Sequence, residues 1–456
     1  MWPLRALGVA SLLVQSTMAI EVVLGDAGSI KSAASTIAFG LMKFYTGNNT
    51  GDVPGNLPDP YFWWEAGAMF GTMIDYTSLT GDTSYVEPIT QALLHQASDT
   101  RDFMPPNQTR TLGNDDQGFW AMAAMSAAEN RFPDPPPDQA QWLALAQAAF
   151  NQWATRWDEE TCGGGLRWQI FTFNSGFTYK NSISNGCFFN IASRLARFTG
   201  NQTYADWAAK IWAWEEQAGL ITPTFDVYDG VGVVNASVCP DTDTIQWSYN
   251  HGIFLAGAAT MYSVTNGSEV WQRRVTGLLE STIALFYKDN ILYEQFCEDR
   301  EFCNQDQQSF KGYLTRWLAS TTQLAPFTFD RIYPLLQSSA AAAARACSGS
   351  PASGFAGIPG TACGFKWTTG LFDGLIGVSE QMNALSAVMY TLVDKVSAPA
   401  TADNGGTSQG DAGAGLNLDP MFPQLAPITL RDKVAAGFVT TAIALGVVGG
   451  SAFVMF

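Results

Sequence analysis

The chain has 456 residues, 47% of them hydrophobic, which is enough for a large core in one or two domains. Its formal net charge of -17 excludes nucleic acid and an anionic membrane surface as electrostatic partners. With only two histidines, His95 and His251, neither a metal nor another cofactor is expected.

In chain order, residues 1–19 read as a secretory signal peptide. Arg5 supplies the charge, residues 6–14 the apolar core, and Thr17-Met18-Ala19 a small-residue cleavage site. The mature chain is then expected to begin near Ile20. Sequons for N-glycosylation at Asn48, Asn107, Asn201, Asn235 and Asn266 agree with export. In an oxidising compartment most of the 7 cysteines should pair. Cys297 with Cys303 and Cys347 with Cys363 make local pairs, and the odd number leaves one free thiol.

Residues 20–397 read as one domain of helices. Apolar residues recur at helical spacing over 30–44, 64–79, 86–94, 119–128, 142–153 and 191–198. They do so again over 204–214, 253–264, 270–286, 310–324, 332–346 and 375–393. Strand patterns are scarce, and 165–173 is the best candidate for one. Short polar hinges recur roughly every 60 residues, as in Thr80-Gly81-Asp82, Thr199-Gly200-Asn201 and Thr265-Asn266-Gly267. Short hinges imply antiparallel hairpins. The expected fold is all-α, an (α/α)6 barrel of six helical hairpins, with inner helices starting near Trp64, Asp115, Ser182, Trp247, Asp306 and Ile376. Segment 30–44 would complete the sixth hairpin.

Beyond 397 the composition shifts. Residues 401–415 are rich in Gly, Ala, Ser, Asp and Asn, so 398–433 is expected to be a flexible linker and spacer. Residues 434–456 are almost wholly apolar. They read as a glycosylphosphatidylinositol (GPI) attachment tail, removed on maturation, with a plain transmembrane anchor as the alternative. The protein is therefore expected to be secreted and held at the cell surface, on the membrane through a GPI anchor.

A polar, aromatic loop precedes each inner helix, and in the barrel these loops converge on one end. They contribute Trp63, Trp64, Glu65, Asn114, Lys180, Asn181, Tyr249, Asn250 and Lys311 as candidate substrate-binding residues, with Trp168 beyond Gly163-Gly164-Gly165. Asn114-Asp115-Asp116-Gln117 opens the second inner helix. Acids in a first helical turn can simply cap it. Two carboxylates in a sugar cleft can also cleave an acetal, one protonating the leaving oxygen and the other attacking carbon or activating water.

These loops resemble glycoside hydrolase family 76, the endo-α-1,6-mannanase family, in its fungal cell-wall branch. The match rests on Gly113-Asn114-Asp115-Asp116-Gln117, supported by Trp63-Trp64-Glu65, the segment Gly163 to Trp168, Lys180-Asn181 and Tyr249-Asn250. The family's Tyr-Asn-Gln-Gly motif has His251 at its third position here. The resemblance implies retention of anomeric configuration, with Asp115 as nucleophile and Asp116 as general acid/base. It also implies an α-mannoside or GPI-core glycan as donor and a wall glucan as acceptor. A hydrolytic endo-α-1,6-mannanase and a non-catalytic wall carbohydrate-binding protein are the alternatives.

Overall fold

The computed structural model describes residues 19–233, 239, 241–416 and 440. The signal expected over 1–19 and the tail expected over 434–456 lie, but for Ala19 and Thr440, outside the described residues. The chain divides into two compact units, Met1–Leu416 and Asn417–Phe456. The first unit carries the helices of the expected barrel.

Six helices form a closed inner ring. They are α2 (Trp63–Thr80), α4 (Asn114–Glu129), α6 (Ser182–Thr199), α8 (Ser248–Val264), α10 (Phe310–Leu324) and α12 (Val378–Met389), each packed on the next and α12 on α2. Five outer helices fold back along them: α3 (Val86–Gln96), α5 (Trp142–Arg156), α7 (Gln202–Gln217), α9 (Glu269–Phe286) and α11 (Phe329–Ala346). The first helix, α1 (Ala27–Met42), packs on α12 and completes the sixth hairpin, as expected. The fold is the (α/α)6 barrel. Its hinges turn on residues with positive φ, Gly81 at 78° and Gly200 at 70°, which glycine adopts at little cost.

Sequence decides which helices are inner. All residues of α12 are buried, and so is α4 from Gln117 to Glu129. Helix α9 buries one stripe, Trp271, Val275, Leu278, Leu279, Thr282 and Phe286, the spacing of an amphipathic surface helix. The inner helices approach closely through a ring of glycines. Gly67, Gly118, Gly186 and Gly252 each stand fifth in their helix. A Cβ on Gly118 would lie 2.6 Å from Cys187 Sγ on the next helix, one on Gly186 2.6 Å from Ile253, and one on Gly252 2.7 Å from Trp317.

Helix α6 begins at Ser182, as expected, and the apolar spacing over 191–198 covers only its second half. Two expectations need correction. Segment 165–173 is not a strand, and only Gln169 makes a bridge, to Gly113. The sheet at this end is instead β1 (Tyr179–Asn181), β2 (Gly230–Gly232) and β3 (Asp241–Asp243), antiparallel in that order. Finally, 401–416 is not a free linker. It runs as a strap along α5, where Asn151 Nδ2 donates to the Ala412 and Ala414 carbonyls at 3.0 and 2.8 Å and Ser408 Oγ accepts from Leu143 N at 3.0 Å. Its small residues fit the helix surface, and a Cβ on Gly415 would lie 2.8 Å from the Ala148 carbonyl.

The disulfides Cys297–Cys303 and Cys347–Cys363 form as expected, joined by Cys162–Cys239, and Cys187 is the buried free thiol.

All six inner helices start at the same end, so unsatisfied N–H groups and positive dipole ends gather there. Buried acids answer them. Glu65 accepts Phe62 N at 2.7 Å, and Glu294 accepts Ser248 N at 3.2 Å and Ser248 Oγ at 2.5 Å. Burial outweighs these bonds. It pushes Glu65 and Glu380 up to about 7 and Glu294 up to about 8. The folded chain therefore holds protons that the unfolded chain releases near 4.5. That contribution to stability is full below about pH 4.5 and is lost as pH rises through 7 to 8. The melting temperature should fall between pH 5 and pH 8, and Glu294→Gln should flatten the decline; a midpoint that rises over this range contradicts the assignment.

Candidate active site

The loops at the convergent end enclose a cleft of about 860 Å³. Asp115 and Asp116 lie on its floor, half-buried, open to the cleft and surrounded by protein elsewhere. Gly113 sets the turn that places them. Asn114 N donates to the Trp168 carbonyl at 2.8 Å, and a Cβ on Gly113 would stand 3.2 Å from that oxygen. Asp116 Oδ2 accepts Gly113 N at 2.6 Å, so this acid does cap its helix. Asp115 accepts Asp116 N at 3.0 Å through Oδ1 and Asn181 Nδ2 at 3.4 Å through Oδ2.

Capping does not exhaust the pair. Burial lifts Asp116 to about 7, against the Gly113 bond and with help from the charge of Asp306. Burial, and then the charge of Asp116, lift Asp115 well above the usual carboxylate range. A helix dipole favours the ionised form of a first-turn acid, and at Asp115 desolvation outweighs it. Two successive carboxyls in this setting cannot both ionise cheaply, and the pair keeps a proton near neutrality. Two adjacent carboxyls on the floor of a polar cleft are the residue types that acetal cleavage needs.

Aromatic rings form the walls. Trp63, Trp64, Trp168 and Tyr249 line the cleft as expected, as does Asn181. Trp64 Nε1 donates to Asp306 at 3.1 Å, and Tyr249 stacks on Phe310 with centroids 3.8 Å apart. Trp168 is 37% exposed and lies over Gly176, where a Cβ would collide with its ring. Gly164 and Gly165, which precede Trp168, pack against Trp157 and Trp214.

Five expected substrate-binding residues are not on the cleft surface. Lys180 is fully buried and donates to the carbonyls of Asp158, Thr161 and Gly164 at 3.0, 2.7 and 2.6 Å. In β1 alternate side chains face opposite ways, so Tyr179 and Asn181 meet the cleft and Lys180 cannot. Lys311 is buried on Glu298 at 2.9 Å, beside the rings of Phe365 and Trp367. Glu65 is engaged by Phe62 N, and Asn114 donates to the Arg167 carbonyl at 2.8 Å. Asn250 reaches Asp229 at 3.5 Å. His251, at the position where the motif departs, is a buried neutral imidazole, its pKa pushed down to about 3 by burial. Its Nε2 accepts Val227 N at 3.2 Å.

Among the further carboxylates that line the cleft, and that the sequence does not mark as ligands, are Asp229 and Asp306. Burial lifts both. Asp306 stands near an expected helix start, which is a usable signal. Asp229 sits in a loop with no periodicity to mark it.

The model of Glycosyl hydrolase family 76 matches residues 29–403. The mannan endo-1,6-alpha-mannosidase DCW1 of Saccharomyces cerevisiae is 45% identical, over 99% of this chain and 99% of that protein. The crystal structure of Dfg5 from Chaetomium thermophilum in complex with glucosamine superposes with a TM-score of 0.82 at 46% identity, covering 87% of this chain and 97% of that one. An inactive variant of a Salegentibacter α-1,6-mannanase, with two adjacent aspartates changed to asparagine and α-1,6-mannotriose bound, superposes with a TM-score of 0.62 at 17% identity. That match covers 81% of this chain and 99% of the mannanase.

Lys180 provides a direct check on what is floor and what is scaffold. Lys180→Met removes the cation and its hydrogen bonds to three carbonyls, while Asp158 keeps Arg167 at 2.8 Å. It should lower stability by about 3 kcal/mol in thermal or urea unfolding. A variant of unchanged stability with weakened sugar binding would return Lys180 to the cleft.

Proposed function

Since the chain belongs to Glycosyl hydrolase family 76 and is an enzyme acting on α-mannan, we propose that Asp115 and Asp116 carry out glycosyl transfer with retention. The observation that carries this is the acid pair on the cleft floor, adjacent in sequence and open to the cleft. The inactive variant of the Salegentibacter mannanase, changed at two adjacent aspartates, supports the same pair.

Asp116 protonates the glycosidic oxygen as Asp115 attacks the anomeric carbon. The C–O bond to the leaving sugar breaks, and an ester to Asp115 forms. Asp116, now a carboxylate, takes a proton from the incoming hydroxyl, which attacks the same carbon and releases Asp115. The split of roles between the two acids follows the family resemblance. Asn181, donating to Asp115, orients it.

The incoming hydroxyl separates two readings. We favour a sugar hydroxyl, so that the enzyme cuts the mannose-containing glycan of a GPI anchor and passes the protein to cell-wall glucan. Aromatic platforms on both sides of the acids support this, since an acceptor must out-compete water by positioning. Export to the surface, with a C-terminal GPI anchor, belongs to the same proposal. The leader, the sequons and three disulfides are its support. The second reading is hydrolysis by an endo-α-1,6-mannanase, favoured by the activity named for the yeast relative. A non-catalytic wall binder would not need both acids.

Asp115→Asn and Asp116→Asn should each lower turnover of α-1,6-mannan at least about 10³-fold, while Asp116→Asn costs only about 1 kcal/mol as a weakened cap. Near-normal turnover in both ends the assignment. With a GPI-glycan mimic as donor and glucan oligosaccharide at saturation, the wild type should form transfer product; hydrolysis alone would favour the mannanase.

A further inference from the structure

Strand β1 places two carboxylates on one face of the cleft. Asn181 donates to Asp115 at 3.4 Å, and Tyr179 Oη donates to Asp229 Oδ2 at 2.8 Å. Residues two apart on a strand point to the same face, so Asn181 and Tyr179 hold the two acids on one stretch of the cleft. The phenol of Tyr249 lies among the charges of Asp229, Asp115 and Asp306, on the same stretch of cleft floor.

Asp229 is held from several sides. Its backbone N donates to the Asp243 carbonyl at 3.0 Å, and its own carbonyl accepts Ser182 N at 2.8 Å. His251 secures the loop two residues earlier through Val227 N. Gly230 lets Tyr179 lie across it, because a Cβ there would be 2.6 Å from the ring. Among the described residues no cation pairs with Asp229. A half-buried carboxylate without a counter-ion is costly, and such groups concentrate at functional sites. A carboxylate has about four acceptor positions. Tyr179, Asn250 and Trp247 take at most three, and the Asn250 contact is long at 3.5 Å. The remaining acceptor belongs to the cleft, which Asp229 lines.

We propose that Asp229 accepts a hydrogen bond from a ring hydroxyl of the donor mannose whose anomeric carbon faces Asp115, with Tyr179 as its positioning residue. This rests on the reading of the cleft as an α-mannoside donor site. As positive charge builds on the sugar, a hydroxyl held by a carboxylate donates more strongly. Asp229 therefore acts on kcat more than on KM.

The test uses the full-length enzyme on α-1,6-mannotetraose and on analogues each lacking one hydroxyl of the donor mannose. Asp229→Asn should lose roughly 100-fold in kcat/KM on the parent, mostly in kcat, and only a few-fold on one analogue. Tyr179→Phe should show a smaller loss that disappears on the same analogue, and it serves if Asp229→Asn fails to fold. A penalty equal on every analogue, or none, overturns the role of Asp229. A wild type inactive on every α-1,6-mannoside overturns the proposed function instead.

Discussion

The structure depends on one constraint: six helices begin at the same place. Each brings a positive dipole end and N–H groups without helical partners into a small, partly dry region. The chain answers with carboxyls, and burial then forces many of those carboxyls to keep their protons. Glu65, Glu294 and Glu380 are the closed form of this answer, sealed behind the cleft wall. Asp115 and Asp116 are the open form, the same first-turn acid placed where a substrate can reach it. The step from helix cap to acid–base pair is a step in exposure, made by Gly113 and the turn it permits.

The opposite end of the barrel shows the contrast. There Arg316 pairs with Asp75 at 2.7 Å and Arg194 with Glu129 at 2.6 Å, and both arginines donate to Ser126 Oγ at 2.8 Å. The cavity at that end is about 100 Å³, too small for a sugar chain. Asp75 and Glu129 each have their cation. At the cleft, the carboxylates of Asp115, Asp116, Asp229 and Asp306 have none among the described residues. Structural acids around the barrel are neutralised by a partner or sealed as buried acids, whereas the cleft acids stand open to the cleft without a cation.

Much of this was legible from sequence because much of it is periodic. Among the described residues, helical spacing marked the twelve helices of the first unit, and the repeat of short hinges marked the hairpins and the closed ring. What failed had no period of its own. Lys180 and Lys311 read as cleft cations, yet their flexible stems let the ammonium groups turn inward to carbonyls and Glu298. Only the three-residue strand β1, too short to show alternation, decides that Tyr179 and Asn181 face the cleft. Asp229 is reached through pairing between β1 and β2, a long-range contact without local signal. The strap over 401–416 has the composition of a linker because small residues also suit close packing on a helix.

The mechanism stands on a sugar becoming covalently attached to Asp115. The most direct measurement is mass spectrometry of peptides from enzyme inactivated with a fluorinated α-mannosyl fluoride, which slows release of the glycosyl-enzyme. One added sugar is expected on the peptide bearing Asp115, localised to that residue and absent from Asp115→Asn. An adduct on Asp116 or Asp229, or prompt turnover with inversion at the anomeric carbon, would contradict it.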